Sequence, residues 1–247
     1  MSAPRQSLDI QTIKISCELC SLAELCLPRG LNEAEVRELD EIVKRGRPIQ
    51  RGKHLYRMSD QDHSLYLVRT GSFKSYLSTD DGDEQVVGFH LPGELVGLDA
   101  FETGRHTCST MAMETSTVCE LPGEKLNHVC RSVPGLHNQL QSLIGKEISA
   151  DHSMLLLLGK KSAEERLASF LVSLSRRFSE RSFSPVEFNL CMSRQDIGNY
   201  LGLAVETISR LFARFQEDNL LAVDRRLIKI KDLPRLKSLV SRPTKKD

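Results

Sequence analysis

The chain has 247 residues, 40% of them hydrophobic and 27% charged, which suits one large globular domain or two modest ones and excludes a disordered or fibrous class. No stretch approaches the roughly 18–20 apolar residues that cross a bilayer, and Met1 to Ser16 lacks the apolar core of a secretion signal, so a cytoplasmic location is expected. The net charge of +1 conceals an acidic part, 16 Lys and Arg against 22 Asp and Glu over residues 1–159, and a basic part, 18 against 11 over 160–247, the footprint expected of a nucleic-acid binder.

The first feature along the chain is a crowd of thiols. Cys17, Cys20 and Cys26 are spaced C-x2-C-x5-C, and Cys108, Cys119, Cys130 and Cys191 are scattered. An odd number of cysteines without a secretion signal argues against a disulfide framework. Three thiols this close can fold around one metal centre, but a cubane is usually held by four. Spacing does not choose the fourth among Cys108, Cys119, Cys130 and Cys191. Structural zinc, a Cys17–Cys20 redox switch and an iron–sulfur cluster all remain open.

Leu31–Val43 carries apolar residues at helical spacing, with Asn32 as N-cap and Glu35 three residues on. From about Arg47 to Leu121 apolar residues alternate, and Gly71, Gly82, Gly93 and Gly104 recur every eleven residues, which predicts short antiparallel strands in a sandwich or rolled sheet. Asp80-Asp-Gly-Asp83 is a hairpin turn candidate. Pro134-Gly135 breaks this pattern, and a long helix follows over about Leu136 to Leu158. Ile144, Ile148, Asp151, Leu155 and Leu158 form an a/d seam along it, the mark of helices pairing side by side. In a two-fold dimer Asp151 would face its own copy, and like charges there oppose association. Lys160–Arg177 reads as a further helix with Leu167, Phe170, Leu171 and Leu174 on one face, and Phe188–Cys191 as a short strand.

The most specific stretch is Met192 to Leu221. Ser193-Arg-Gln-Asp196 has the form of a capping box, opening a helix through Leu201; Gly202-Leu203 turns the chain, and a second helix runs from about Ala204 to Asp218. That is a helix-turn-helix. In such units the start of the second helix meets base edges in the major groove. Here Glu206, Ser209 and Arg210 share one face: Arg can fork onto guanine, Glu can accept from cytosine, and Ser suits either. Arg194, Thr207 and Arg214 are placed to approach phosphates. Leu220–Val223 and Leu227–Ile230 around Asp224-Arg-Arg226 predict a two-stranded wing, although its tip lacks the usual glycine.

Across Cys17 to Leu239 the chain resembles the FNR/ANR-type regulators of the CRP/FNR superfamily. The resemblance is strongest in Cys17–Pro28, Gly82–His90, Glu114–Pro122, Ala163–Leu167 and Ile197–Arg210. It implies an α+β fold: an N-terminal β-roll of the cyclic-nucleotide-binding jelly-roll kind, a long dimerisation helix and a C-terminal winged helix-turn-helix. The implied units are a cluster-binding segment (1–30), the β-roll (31–134), the dimerisation helix (135–159) and the DNA-binding domain (160–247). It also implies Cys119 as fourth ligand of a [4Fe–4S] cluster with Cys17, Cys20 and Cys26, degrading toward [2Fe–2S] with oxygen. Ser21 and Leu25 match positions that modulate oxygen access. Glu206, Ser209 and Arg210 match the base-reading trio. Gly82 and Asp83, and more weakly Thr70, match surfaces that contact RNA polymerase. The implied protein is an oxygen-sensing regulator of anaerobic metabolism, acting by activation and repression: a homodimer on palindromic double-stranded promoter DNA while the cluster is intact, released when it is lost.

Two other classes fit less well. Gly93-Glu-Leu95 is similar to the start of a cyclic-nucleotide phosphate cassette, but Arg105 is followed by His106, without the Arg-Ser or Arg-Thr pair that would hold the phosphate. No nucleophile elbow, phosphate-cradling loop or carboxylate pair points to an enzyme.

Overall fold

The computed structural model describes residues 16–79 and 81–240. The expected cluster segment before residue 16, Asp80 of the predicted hairpin and residues 241–247 lie outside the described residues.

Two short 3-10 turns, Cys17–Leu19 and Ala23–Leu25, carry the first cysteines and lead to helix α1 (Glu33–Ile42). Asn32 caps α1 through a full capping box with Glu35. Eight strands follow: β1 (Lys44–Arg45), β2 (His54–Tyr56), β3 (Ser64–Thr70), β4 (Phe73–Ser78), β5 (Glu84–His90), β6 (Leu95–Val96), β7 (Ser109–Ala112) and β8 (Thr117–Pro122). They pair antiparallel in two four-stranded sheets, β1-β8-β3-β6 and β2-β7-β4-β5, the expected rolled sheet. The alternation in β3 has a double purpose. Leu65 and Leu67 pack outward under Leu27, Leu39, Leu126 and Leu136, while Tyr66 and Val68 face the roll interior with Tyr56 and Phe73. Both faces of this strand are covered, so it reads as a nearly continuous apolar run. The glycines at eleven-residue spacing all take positive φ, between +69° and +88°, as turns between the strands.

Helix α2 (Gly123–Ser132), unforeseen in the sequence, packs Leu126 and Val129 on the roll. Helix α3 (Pro134–Lys160) is 27 residues long. Pro134 begins this helix rather than merely ending the sheet, because its fixed φ and missing N–H cost nothing in a first turn. Leu136 and Leu140 anchor the start of α3 in the core.

Helix α4 (Ala163–Glu180), capped by a Ser162–Glu165 box, buries the predicted face of Leu167, Phe170, Leu171 and Leu174. Then come β9 (Glu187–Asn189), α5 (Arg194–Leu201), α6 (Val205–Glu217), β10 (Leu221–Asp224), β11 (Leu227–Ile230) and α7 (Leu233–Val240). The wing is three-stranded, β9-β11-β10, since β9 joins the predicted pair. Its tip solves the missing glycine by placing Arg225 itself at φ +54°. One apolar cluster contains Val86, Phe89 and Leu91 of the roll together with Phe170, Ile197 and Phe212 of the C-terminal unit, so the DNA-reading unit is docked on the roll of its own chain.

Candidate nucleic-acid interface and thiol pocket

The Ser193 hydroxyl accepts from the Asp196 N–H at 3.0 Å, and the Asp196 carboxylate accepts the Ser193 N–H at 3.0 Å, which fixes the start of α5. Gly202 ends α5 in the left-handed conformation, and the Leu203 N–H donates to the Gly198 carbonyl at 2.8 Å. Gly198 is required by the tightness of this turn: a Cβ there would lie 2.6 Å from the Leu203 carbonyl oxygen. Ile197, Leu201, Ile208, Phe212 and Phe215 then lock α5 and α6 together below the surface. This leaves Glu206, Ser209 and Arg210 exposed on one face of α6. The Ser209 hydroxyl donates back to the Val205 carbonyl at 2.9 Å.

The three residues expected near phosphates differ in setting. Thr207 is half-buried. Arg214 is exposed and lies 3.6 Å from Glu164 and 3.8 Å from Asp218. Arg194 lies flat on Phe212, 3.3 Å from the ring centre, with Nη1 buried and without a partner among the described residues. Burial lowers its guanidinium to about 10.

Cys17, Cys20, Cys26 and Cys119 line one pocket, with Leu27, Leu39, Val43, Leu67 and Leu121 as its apolar wall. The two thiol-bearing pieces meet because β8 pairs with β1, setting Cys119 opposite Arg45. The Arg45 guanidinium lies 3.5 Å from the Cys17 sulfur and also pairs with Asp40, whose carboxylate accepts the Cys17 N–H at 2.8 Å. Burial pushes the Cys26 thiol up to about 12 and raises Cys17 and Cys119 as well; Arg45 and Arg69 pull Cys119 partly back. The Gln139 amide of α3 donates to the Cys26 carbonyl at 3.2 Å. Among the described residues no three Cys, His, Asp or Glu side chains converge tightly enough for a single metal ion. Ser21 is exposed, and Leu25 is half-buried with its side chain beside Gly93. Cys108, Cys130 and Cys191 stand outside this pocket. Burial raises all three thiols, and Cys108 reaches about 12 beside Asp99.

On α3 the seam is uneven. Ile144 packs against the core and Leu158 lies near Gly202, but Ile148 and Leu155 are 50% and 69% exposed with Asp151, also exposed, between them. Gly82 and Asp83 form an exposed turn closed by Thr79, and Thr70 is exposed at the edge of β3.

Several contacts escaped the sequence reading because they join residues far apart in the chain. Lys74 of β4 pairs with Asp196 of α5 at 2.7 Å. The Asn199 side chain bonds the backbone of Glu84 and Val86 at 2.5 Å each. Glu94 pairs with Arg177 of α4 and with Arg181, the residue that follows this helix, at 2.5 and 2.6 Å. No sequence periodicity signals such pairs; only the docking of the two units creates them.

A β-roll followed by a long helix and a winged helix-turn-helix defines a DNA-binding transcription regulator, not an enzyme. The comparisons with known proteins agree. Residues 47–133 match the cyclic nucleotide-binding domain and residues 165–239 the Crp-like helix-turn-helix domain. The chain is similar to the fumarate and nitrate reduction regulatory protein of Escherichia coli K12, 52% identical over 218 residues, covering 88% of this chain and 87% of that protein. It is also similar to the protein of that name from Yersinia pestis, 49% identical over 229 residues, 93% and 92% of the two chains. Among solved structures, FixK2 from Bradyrhizobium japonicum superposes with a TM-score of 0.74 at 28% identity, over 82% of this chain and 99% of that one. The chain belongs to the fumarate and nitrate reduction regulator family within the CRP/FNR superfamily. No helix among the described residues is long and apolar enough to cross a membrane.

Proposed function

We propose that this chain is an oxygen-responsive regulator of anaerobic respiration genes in which Cys17, Cys20, Cys26 and Cys119 hold a [4Fe–4S] cluster. The observation that carries the reading is the donor set: four thiols on the wall of one apolar pocket. Four thiolates suit structural zinc as well as an iron–sulfur cluster; the kinship with the fumarate and nitrate reduction regulators favours the cluster. When bound, the cluster supplies an oxygen-labile link among the four sulfurs.

The chain's own residues do the rest. Burial favours the protonated thiols of Cys17, Cys26 and Cys119, so binding the cluster would release protons, and Arg45 and Arg69 offset the thiolate charge. Gln139 ties the Cys26 backbone to α3, so an ordered cysteine segment steadies the start of that helix. Further along α3, Ile148 and Leu155 offer exposed apolar surface to a second copy, with Ile144 and Leu158 at the ends of the seam. Asp151, meeting its own copy, holds the association near balance, so a small change in α3 decides it. The dimer sets two α6 helices on a palindromic site, where Glu206, Ser209 and Arg210 read bases and Arg194, Thr207 and Arg214 hold phosphates. The exposed Gly82–Asp83 turn and Thr70 contact RNA polymerase, and Ser21 and Leu25 govern oxygen access to the thiols.

The test is titration of a palindromic duplex with anaerobic and air-exposed protein. Tight binding that collapses in air together with the visible absorbance supports the reading. Equal binding in both states contradicts it.

A further inference from the structure

The dimer seam is one route from the cysteines to the DNA; a second runs inside a single chain. The turn after β5, Leu91-Pro92-Gly93-Glu94, is closed by the Glu94 N–H donating to the Leu91 carbonyl at 3.1 Å. Gly93 takes φ +88°, and a Cβ there would lie 3.1 Å from Leu25 Cβ, so the cysteine segment rests directly on this turn. The next residue, Glu94, lines the cleft between the roll, α3 and α4, which Leu25 and Gly93 also border.

There its carboxylate takes three guanidinium bonds: Arg177 Nε at 2.9 Å, Arg177 Nη2 at 2.5 Å and Arg181 Nη2 at 2.6 Å. The same two arginines bind backbone on this side of the roll, Arg181 the Pro92 carbonyl of the turn at 2.7 Å and Arg177 the Phe89 carbonyl of β5 at 2.5 Å. The Arg181 side chain is only 4% exposed and Arg177 17%. Burial alone would raise the Glu94 carboxyl, yet the two guanidinia hold it at about 2. A forked pair fixes the relative orientation of its partners, and separating it leaves a charge in a largely buried place without its partner. Arg177 and Arg181 end the helix whose other residues pack α5 and α6, so the grip orients the reading head.

We propose that Glu94 is a positioning residue for DNA binding: by clasping Arg177 and Arg181 it carries the placement of Leu25 and the cysteine segment to the helix-turn-helix within one chain. This rests on the reading of the thiol pocket as the cluster site. It makes each subunit, and not only the dimer, responsive to cluster state.

The experiment uses a duplex carrying one half-site, which a single reading head can bind, titrated at low salt with full-length protein before and after air. Dimer-only control predicts half-site affinity per reading head that is the same in both states. The clasp predicts about fivefold or more tighter binding by the cluster-loaded protein, the low end of measured couplings. Glu94→Gln removes that difference without removing the visible absorbance. Arg181→Lys, which keeps the charge but cannot fork, covers the case that Glu94→Gln fails to fold; it should reduce the difference. Equal half-site affinity before and after bleaching in the wild type overturns the proposal, as does a difference that survives both substitutions. A wild-type protein without visible absorbance instead refutes the cluster reading, and the relay falls with it for want of an input.

Discussion

Leu155→Ala tests the dimer seam by removing contact surface without touching the monomer core. The side chain is 69% exposed in the single chain and belongs to none of its apolar clusters. Truncation to alanine removes three carbons, worth about 0.8 kcal/mol each when fully buried. Scaled to the exposed two thirds, this is about 1.5 kcal/mol per copy and about 3 kcal/mol for a symmetric pair. Because about 1.4 kcal/mol is tenfold, the dimer dissociation constant should rise roughly a hundredfold. Sedimentation velocity of the anaerobic protein across a concentration series reads this directly, and thermal unfolding of the dilute monomer should be unchanged. A variant that dimerises like the parent would show that Leu155 lies outside the seam; one that unfolds would show that it belongs to the monomer core.

Asp151→Ala should act in the opposite direction, remaining dimeric and bound to the palindrome in air; dissociation in air like the parent would remove charge repulsion from the account. Arg210→Ala should cost about 1–3 kcal/mol at one guanine per half-site, and competition titrations with single-base variants would separate this from the uniform loss expected of a phosphate contact. His90, buried at the end of β5, is lowered by that burial to about 4, whereas an unfolded histidine titrates near 6.5. Between those values the unfolded chain binds the extra proton, so the contribution of His90 to stability rises with pH across this window by about 3 kcal/mol. Glu147, raised by burial to about 7, works in the opposite direction over the same range, so the check is urea unfolding of cluster-free parent and His90→Gln at pH 7 and pH 4.5: the substitution should make acidification less costly than it is in the parent.

How much of this was legible in the sequence follows from how local each signal is. The helix-turn-helix was readable because capping box, turn glycine and apolar spacing lie within 30 residues of one another and agree. The four turn glycines likewise marked the strands of the roll. Helix α2 was missed because it opens on Gly123 after Pro122, with no side-chain cap and only three positions buried in the core. The wing turn was in doubt because Arg225 adopts a conformation that residue type rarely signals. The fourth thiol could not be chosen by spacing: Cys119 reaches the others only through the pairing of β8 with β1. The Glu94 clasp was unreadable for the same reason, its partners standing 83 and 87 residues away.

The central claim is that four sulfurs hold an iron–sulfur cluster. Its most direct test is anaerobic purification followed by iron, sulfide and zinc analysis with a visible spectrum, on the parent and on Cys119→Ser. The account predicts about four iron and four sulfide per chain, with a broad band in the thiolate-to-iron charge-transfer region near roughly 400 nm that bleaches in air and is absent from Cys119→Ser. A colourless parent carrying stoichiometric zinc, or a Cys119→Ser variant with the full band, would contradict it.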